Sequence, residues 1–306
     1  MSTDTHHALV ALGRWLAESG YRFTTVTPET HRRVNARAPI LAANPRDVFG
    51  WSRPFGRGTL PDAVVDLLRA AGALHVREDG FASAVRFSTL GPHLFVHSAH
   101  PTVEADAVFF GPDTYRFCAA IRRAGVTAER VADIGCGSGA GGIVAGLGAA
   151  RLVLADVNDR ALCHARVNLE LAGAASEQVQ VLHSDILAAV TGQFDLIVAN
   201  PPYMKDEQGR AYRDGGGAHG AALSVRIVAE SLGRLAPGGT LLLYTGVACI
   251  GGDDPFWRVI APLFRDLPVA VTYEELDPDV FGEELDRPGY EAVERIAAVV
   301  LTVRRR

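Results

Sequence analysis

The sequence is short of several things. Its 306 residues include a single lysine, Lys205, so nearly all the positive charge is arginine, a compositional bias that marks no function. The four cysteines (Cys118, Cys136, Cys163, Cys249) stand far apart with no C-x-x-C pair. That excludes a disulfide framework and a zinc knuckle and predicts reduced thiols. No apolar run reaches the ~18 residues of a membrane span. The first 25 residues carry Asp4, Arg14 and Glu18 and no apolar signal core, so the expectation is a cytoplasmic protein with no membrane partner. Solenoid-length repeats and low-complexity tracts are also missing. A net charge of −5 argues against a dominant sequence-independent affinity for nucleic acid, while leaving room for one local basic face.

What is present is a chain able to bury a core: 48% hydrophobic, 21% charged, with a mean hydropathy of +0.12. Its length suits about two domains, and its character changes near residue 105. Before that point the signals are mixed. Leu9, Leu12 and Leu16 recur at helical spacing over His7 to Ser19, and Gly20 ends the run. Thr27-Pro28-Glu29 reads as a cap with a first-turn proline for a short second helix, and Leu60-Pro61-Asp62 opens a third over Ala63 to Ala71. Strand-like runs follow at Leu74 to Val76, Ala84 to Phe87 and Leu94 to Val96, separated by turns at Asp79-Gly80 and Gly91-Pro92. Helices followed by a hairpin resemble a winged-helix unit. Residues 1–95 hold 11 arginines against 8 carboxylates, which suits a polar cap or a lid. We therefore expect residues 1–104 to form a smaller α+β domain for substrate recognition or closure.

From Val131 onward strands and helices alternate. Strands are predicted at Val131–Ile134, Leu152–Ala155, Val179–Leu182, Leu196–Ala199, Thr240–Tyr244, Val269–Tyr273 and Ala292–Val303, with helices between the first five. The economical fold is α/β, a Rossmann-like seven-stranded, mostly parallel sheet. The irregular stretch Glu274 to Glu291, with Pro278 and Pro288, suits an antiparallel last strand.

The first of these strands ends in Asp133-Ile134-Gly135-Cys136-Gly137-Ser138-Gly139-Ala140. Glycines here allow a sharp turn and let a ligand lie against bare backbone at a helix start. The string fits G-x-G-x-x-A, and Asp156 follows Gly135 by 21 residues, beside Val157, where a carboxylate can take ribose hydroxyls. Either NAD or S-adenosyl-L-methionine (SAM) would suit those features. Asp133 tips the choice, because a carboxylate two residues before the first glycine suits a cationic ammonium and repels a pyrophosphate. After the third strand, Asp185 can accept from an adenine amine while Ile186 covers the ring. Capping of a short helix over Ile186 to Val190 is the competing role for Asp185.

The most specific string is Asn200-Pro201-Pro202-Tyr203. Successive prolines hold Asn200 and Pro201 extended and leave acceptor oxygens free at a strand end. An amine with two hydrogens can donate to the Asn200 carboxamide and the Pro201 carbonyl, which aims its lone pair in a third direction, and Tyr203 can stack on a planar group. Tyr212, Arg213 and His219, in the polar glycine-ended loop that follows, are substrate candidates; that loop reads equally as a lid or as solvated surface.

On these residues the segment 105–306, about two thirds of the chain, resembles the class I SAM-dependent methyltransferases, within them the small-domain N-P-P-Y amine N-methyltransferases. The resemblance implies a catalytic domain over 105–306 with SAM as cofactor. Gly135, Cys136, Gly137 and Gly139 would lie at the methionine end, Asp156 on the ribose, and Asp185 with Ile186 at the adenine. Asn200 to Tyr203 would hold the acceptor nitrogen. Release-factor glutamine methyltransferases carry an R-P-E-T-E-like string where this chain has Phe109-Phe110-Gly111-Pro112-Asp113-Thr114. The match is partial; it places Phe110 and Asp113 near SAM and leaves the acceptor open. The reading is direct methyl transfer to a planar amine or amide nitrogen of a protein or small molecule, with no metal. Its rivals are methylation of a nucleic-acid base (adenine N6 or guanine N2), cyclisation or cleavage of SAM, and SAM binding without catalysis.

Overall fold

The structure is a computed structural model that describes residues 3–37, 39–78, 80–206, 209, 210 and 212–306, with only the backbone of Ser176. The expected turn residue Asp79, and Glu207, Gln208 and Ala211 of the loop after Tyr203, lie outside the described residues. The chain divides into two compact units. Unit 1 comprises residues 1–116, 137–140 and 160–174; unit 2 comprises 117–136, 141–159 and 175–306. Among the described residues no helix is long and apolar enough to cross a membrane.

Unit 1 opens with α1 (Thr3–Glu18), α2 (Pro28–Asn35), α3 (Pro45–Phe49) and α4 (Asp62–Ala70). Thr27 caps α2, its hydroxyl accepting from the Thr30 amide at 3.2 Å, and Asn44 caps α3 at Asp47 N, 3.0 Å away. Four strands form where three are expected. β1 (Leu74–Arg77) pairs antiparallel with β2 (Gly80–Ser83), and β3 (Val85–Leu90) with β4 (His93–Ser98), as two separate two-stranded sheets. The chain breaks at Ala84, whose amide turns to Ala73 O and whose carbonyl takes Ala99 N. Leu12, Leu16, Phe49, Leu68 and Phe87 are the centre of the core.

Unit 2 is built on seven strands. They are β5 (Arg130–Ile134), β6 (Arg151–Asp156), β7 (Val179–His183), β8 (Phe194–Ala199), β9 (Leu235–Cys249), β10 (Val269–Asp277) and β11 (Arg295–Arg305). Their order is β10-β11-β9-β8-β5-β6-β7. The pairs from β7 to β9 are parallel, and β11 is antiparallel to both β9 and β10. This is the Rossmann-like sheet with a reversed last strand that the sequence predicts. The apolar strand runs fill its core: Ile134, Val153, Ile197, Leu241, Leu243 and Leu301 are all buried. Three of the four expected helices are present: α6 (Ala140–Gly146), α7 (Asp159–Leu171) and α8 (Ala222–Leu232). α5 (Pro112–Ala124), before β5, and α9 (Pro255–Ile260), after β9, complete the set.

The fourth expected helix, between β7 and β8, does not form. Ile186 sits at φ +51°, in the left-handed region, and the connection closes as tight turns, Ala188 N to Asp185 O and Val190 N to Leu187 O, both 3.0 Å. A β-branched residue in that region prevents a helix from starting there. Asp185 is therefore no helix cap.

Candidate active site

In unit 2 the parallel strands end along one edge. Ile134 is the register partner of both Ala155 and Ala199, and Asp156 that of His183. The next residues, Gly135 and Asn200, thus leave neighbouring strand ends. β5 and β8 flank the point where the order of the sheet reverses, the place where open α/β sheets bind ligands.

Asp133 lies in β5 one residue before the strand end. It is 2% exposed, and its Oδ2 accepts from Gly142 N of α6 at 2.7 Å. Burial pushes its pKa up to about 7, against the pull of that hydrogen bond, and the charge of Asp156 raises it further. α6 must be bare to sit over it: a side chain at Gly141 would collide with the Phe117 ring, and one at Gly142 with Leu154. The Asp133 carboxyl already takes this amide, so the amide is not free to donate to a pyrophosphate.

The turn after β5 is open on its outer side. Gly135 has φ +63° and Gly137 φ +54°, and a Cβ on either would meet nothing within 4 Å. Gly139, at φ +78°, is equally dependent on being glycine. The amides of Gly135 and Cys136 both donate to Ala155 O, at 2.8 and 3.1 Å, which fixes the turn to the end of β6. Cys136 is buried, whereas Val157 is half exposed. Asp156 ends β6, and its Oδ1 accepts from Asn158 N at 2.9 Å. Asp185 is exposed, and its Oδ2 pairs with Arg226 of α8 at 2.8 Å. Ile186 is buried beside it. Phe110 and Asp113 belong to unit 1. There Phe110 stacks on His97 at 5.0 Å, and Asp113 is buried and pairs with Arg116 at 3.1 Å.

Asn200 is half buried, and its carboxamide bonds to no described residue. Pro201 and Pro202 follow. Tyr203 is 7% exposed, more enclosed than its role as a stacking platform required. Its ring lies so close to Gly246 of β9 that a side chain there would collide with it, and its edge meets Phe281 at 6.1 Å. Phe281 itself is held at φ +56°.

Several described residues of the loop after Tyr203 are hydrogen-bonded. Met204 N donates to Arg213 O at 3.1 Å, Gly215 N to Met204 O at 2.9 Å, and Lys205 N to the Tyr290 hydroxyl at 2.9 Å. Gly220 packs on the Tyr203 carbonyl, where no Cβ would fit. Arg213 spans two buried carboxylates, Asp206 at 3.5 Å and Glu284, and Arg210 Nε bonds Asp206 at 3.0 Å. This substrate candidate is thus engaged by one carboxylate of the loop and one from Gly282–Glu284. The Tyr212 side chain is half buried, and Arg210 lies over its ring at 5.7 Å. His219 is half buried, 6.5 Å from the Tyr290 ring. Gly246, Phe281 and Tyr290 were not singled out from sequence. Of these only Gly246 carried a signal, as a lone glycine inside an apolar strand, the mark of a close approach.

A seven-stranded sheet of this order, with a glycine turn and a buried acid at β5 and Asn-Pro-Pro-Tyr at β8, defines a class I SAM-dependent methyltransferase domain. Residues 117–246, less than half of the chain, match the methyltransferase small domain model, and Asn200-Pro201-Pro202-Tyr203 is consistent with the N-P-P-Y methyltransferases. It is 33% identical over 172 residues to the release factor glutamine methyltransferase of Deinococcus radiodurans, covering 52% of this chain and 57% of that one. It is 36% identical over 115 residues to ribosomal RNA small subunit methyltransferase C of Chromohalobacter salexigens, covering 38% and 31%. The chain thus spans little more than half of the first relative's length and about a third of the second's. Trm5b of Pyrococcus abyssi shares the fold with a TM-score of 0.53 at 14% identity, over 91% of this chain and 78% of that one. The cofactor of the class is SAM, and residues of unit 2 fit it: a sealed acid with one backbone bond, an open glycine at Gly135, and a carboxylate at the end of the next strand.

Proposed function

We propose that this protein is a cytoplasmic N-methyltransferase acting on a planar amine or amide nitrogen of a protein or small-molecule acceptor, with residues 105–306 as its catalytic region and residues 1–104 as a recognition or lid region. The observation that carries the reading is Asn200: a carboxamide with no partner among the described residues, at the end of β8 and followed by two prolines. SAM supplies an electrophilic methyl on a sulfonium.

The chain's own residues position and discriminate. The Asn200 side-chain oxygen and the Pro201 carbonyl accept the two N–H groups of the acceptor and orient its lone pair. Tyr203, fixed by Gly246 and Phe281, walls the acceptor side. Asp133 offers a carboxylate to the ammonium of the methionine moiety, and Asp156 one to the ribose. The hydrogen bonds at Asn200 strengthen as positive charge grows on nitrogen, so they favour the transition state over the ground state. The methylated nitrogen is strongly acidic and gives its proton to water, so no dedicated base is needed.

A second reading, a nucleic-acid base as acceptor, is supported by the similarity to an rRNA methyltransferase and by the arginine surplus of residues 1–95. The test is incubation of a cell extract with the protein and methyl-labelled SAM, followed by mass spectrometry of the protein, metabolite and RNA fractions. Label on a protein or metabolite nitrogen that is lost in Asn200→Ala supports the proposal. Label confined to RNA or DNA selects the second reading, and SAM consumed with no labelled acceptor refutes both.

A further inference from the structure

Unit 1 holds a buried charge that methyl transfer does not use. Arg86, on β3, is 4% exposed, and its Nε and Nη2 are sealed from solvent with no hydrogen-bond acceptor among the described residues. The groups that act to keep it charged are the hydroxyls of Tyr21 and Tyr115, not carboxylates. Burial lowers its pKa only to about 10, so it stays cationic at neutral pH. The Phe23 ring, 5.3 Å from Cζ, adds a cation–π contact, and Arg46 approaches the same ring at 5.5 Å.

His31 is a second orphan beside it. The side chain is 4% exposed, and its Nε2 is sealed without a partner among the described residues. Its ring lies 4.1 Å from that of His100. Burial holds both imidazoles neutral, His31 at about 3 and His100 at about 4, with His100 and Arg86 adding to the shift of the first and Arg86 to that of the second. His97, the cross-strand partner of Arg86 on β4, is buried and neutral for the same reason. Burial is the main cause of each of these shifts, and the Arg86 charge adds to it at His31, His97 and His100.

We propose that unit 1 carries a binding site for a compact monovalent carboxylate, taken bidentately by Nε and Nη2 of Arg86 and hydrogen-bonded by Nε2 of His31. Buried charges are ordinarily paired, because an unpaired one costs several times what a pair does. The unbonded edge of Arg86 is the planar fork that matches a carboxylate. Charge selects the ligand further: among the described residues of the cluster Arg86 is the sealed cation, so a single negative charge neutralises it, whereas a phosphate dianion would leave an excess in a low-dielectric interior. A phosphodiester within a nucleic-acid strand could not reach so enclosed a group, but the end of a small carboxylate can, by displacing the side chains that cover it. The inference concerns unit 1 alone and does not rest on the methyl-transfer reading.

The test is calorimetric melting of the full chain at pH 7 and constant ionic strength in sodium chloride, sodium acetate and sodium phosphate, for wild type and Arg86→Met. Acetate should raise the wild-type melting temperature by about 2–4 °C over chloride. Arg86→Met should melt above wild type in chloride, since a buried unpaired charge is gone, and should ignore acetate. Equal melting of wild type in all three salts, or an acetate shift that survives in Arg86→Met, overturns the site. A phosphate shift as large as that of acetate overturns the carboxylate assignment. One readout needs no variant: acetate should move the His31 imidazole resonances of the wild-type protein and raise its pKa, and unmoved resonances overturn the proposal.

Discussion

Asp133 and Arg86 are both charged side chains buried almost completely, yet the two units treat them differently. Asp133 sits under the start of α6, where a backbone amide at 2.7 Å meets one oxygen, and it answers the remaining cost of burial by keeping a proton up to about pH 7. Arg86 has no such escape. A guanidinium stays charged when its pKa falls to about 10, and it is left with an aromatic face and neutral imidazoles. A buried acid can relieve itself by titration, whereas a buried arginine needs a partner, so the missing partner says more at Arg86 than at Asp133.

The largest effect that would sharpen this contrast is a pH dependence of stability. The folded-state pKa of Asp133, about 7, lies above its ordinary value of 3.8. The folded chain therefore holds a proton the unfolded chain has released, so this contribution is fully present below about pH 4 and is lost as pH rises to about 7. The loss amounts to up to about 4 kcal/mol. Asp133→Asn should flatten that slope in denaturant titrations at pH 4, 5.5 and 7, and an unchanged slope would assign the pH dependence to other groups. SAM, by bringing its ammonium, should restore stability at the alkaline end in wild type but not in the variant.

Asn200 is the neutral counterpart of these charges, a polar side chain without a partner among the described residues. Asn200→Ala should lower single-turnover methylation by about 10²-fold, or about 3 kcal/mol, with SAM affinity kept within a few-fold. A parallel collapse of SAM binding would make Asn200 a cofactor residue instead. Asp156→Ala should weaken SAM binding by about 1.5–3 kcal/mol in calorimetry while leaving the fold intact; an unchanged affinity would remove Asp156 from the site. Gly246→Ala, which displaces the Tyr203 ring, should destabilise by about 1–3 kcal/mol and depress turnover more than SAM binding. The smallest effect belongs to the exposed pair: Arg226→Ala, freeing Asp185, should change stability by less than about 1 kcal/mol.

How far the sequence alone could go depended on distance along the chain. Strands of a buried parallel sheet are written as continuous apolar runs, so β5, β6, β7 and β8 were placed within a residue or two. β9 was not. Its first half reads Ala236-Pro237-Gly238-Gly239, a turn by composition, yet it belongs to the strand, which resumes its pairing with β8 after a register shift. α5 begins at Pro112-Asp113-Thr114, a helix-start signature that coincides with the partial match to the R-P-E-T-E-like string. Asn200 to Tyr203 was legible because its chemistry is local. Gly246, Phe281 and Tyr290 reach that string from well beyond it in sequence, and the bond between Tyr290 and Lys205 leaves no mark in either segment. The isolation of Arg86 is invisible for a deeper reason: sequence can display a charge but not the lack of a carboxylate near it in space.

The placement of β11 bears on how the chain is made. It lies between β9 and β10 and is hydrogen-bonded to both, although it is the last of the seven strands in sequence. During synthesis β10 emerges with nothing to pair with, and β9 presents a bare apolar edge until residues 295–305 have cleared the ribosome. The half of the sheet from β7 to β9 can assemble as it appears, but the far half must wait for β11, which alone joins β10 to β9. Such a closure joins segments distant in sequence and exposes strand edges while it is pending, so the nascent chain is most exposed to aggregation in the interval before its final strand arrives.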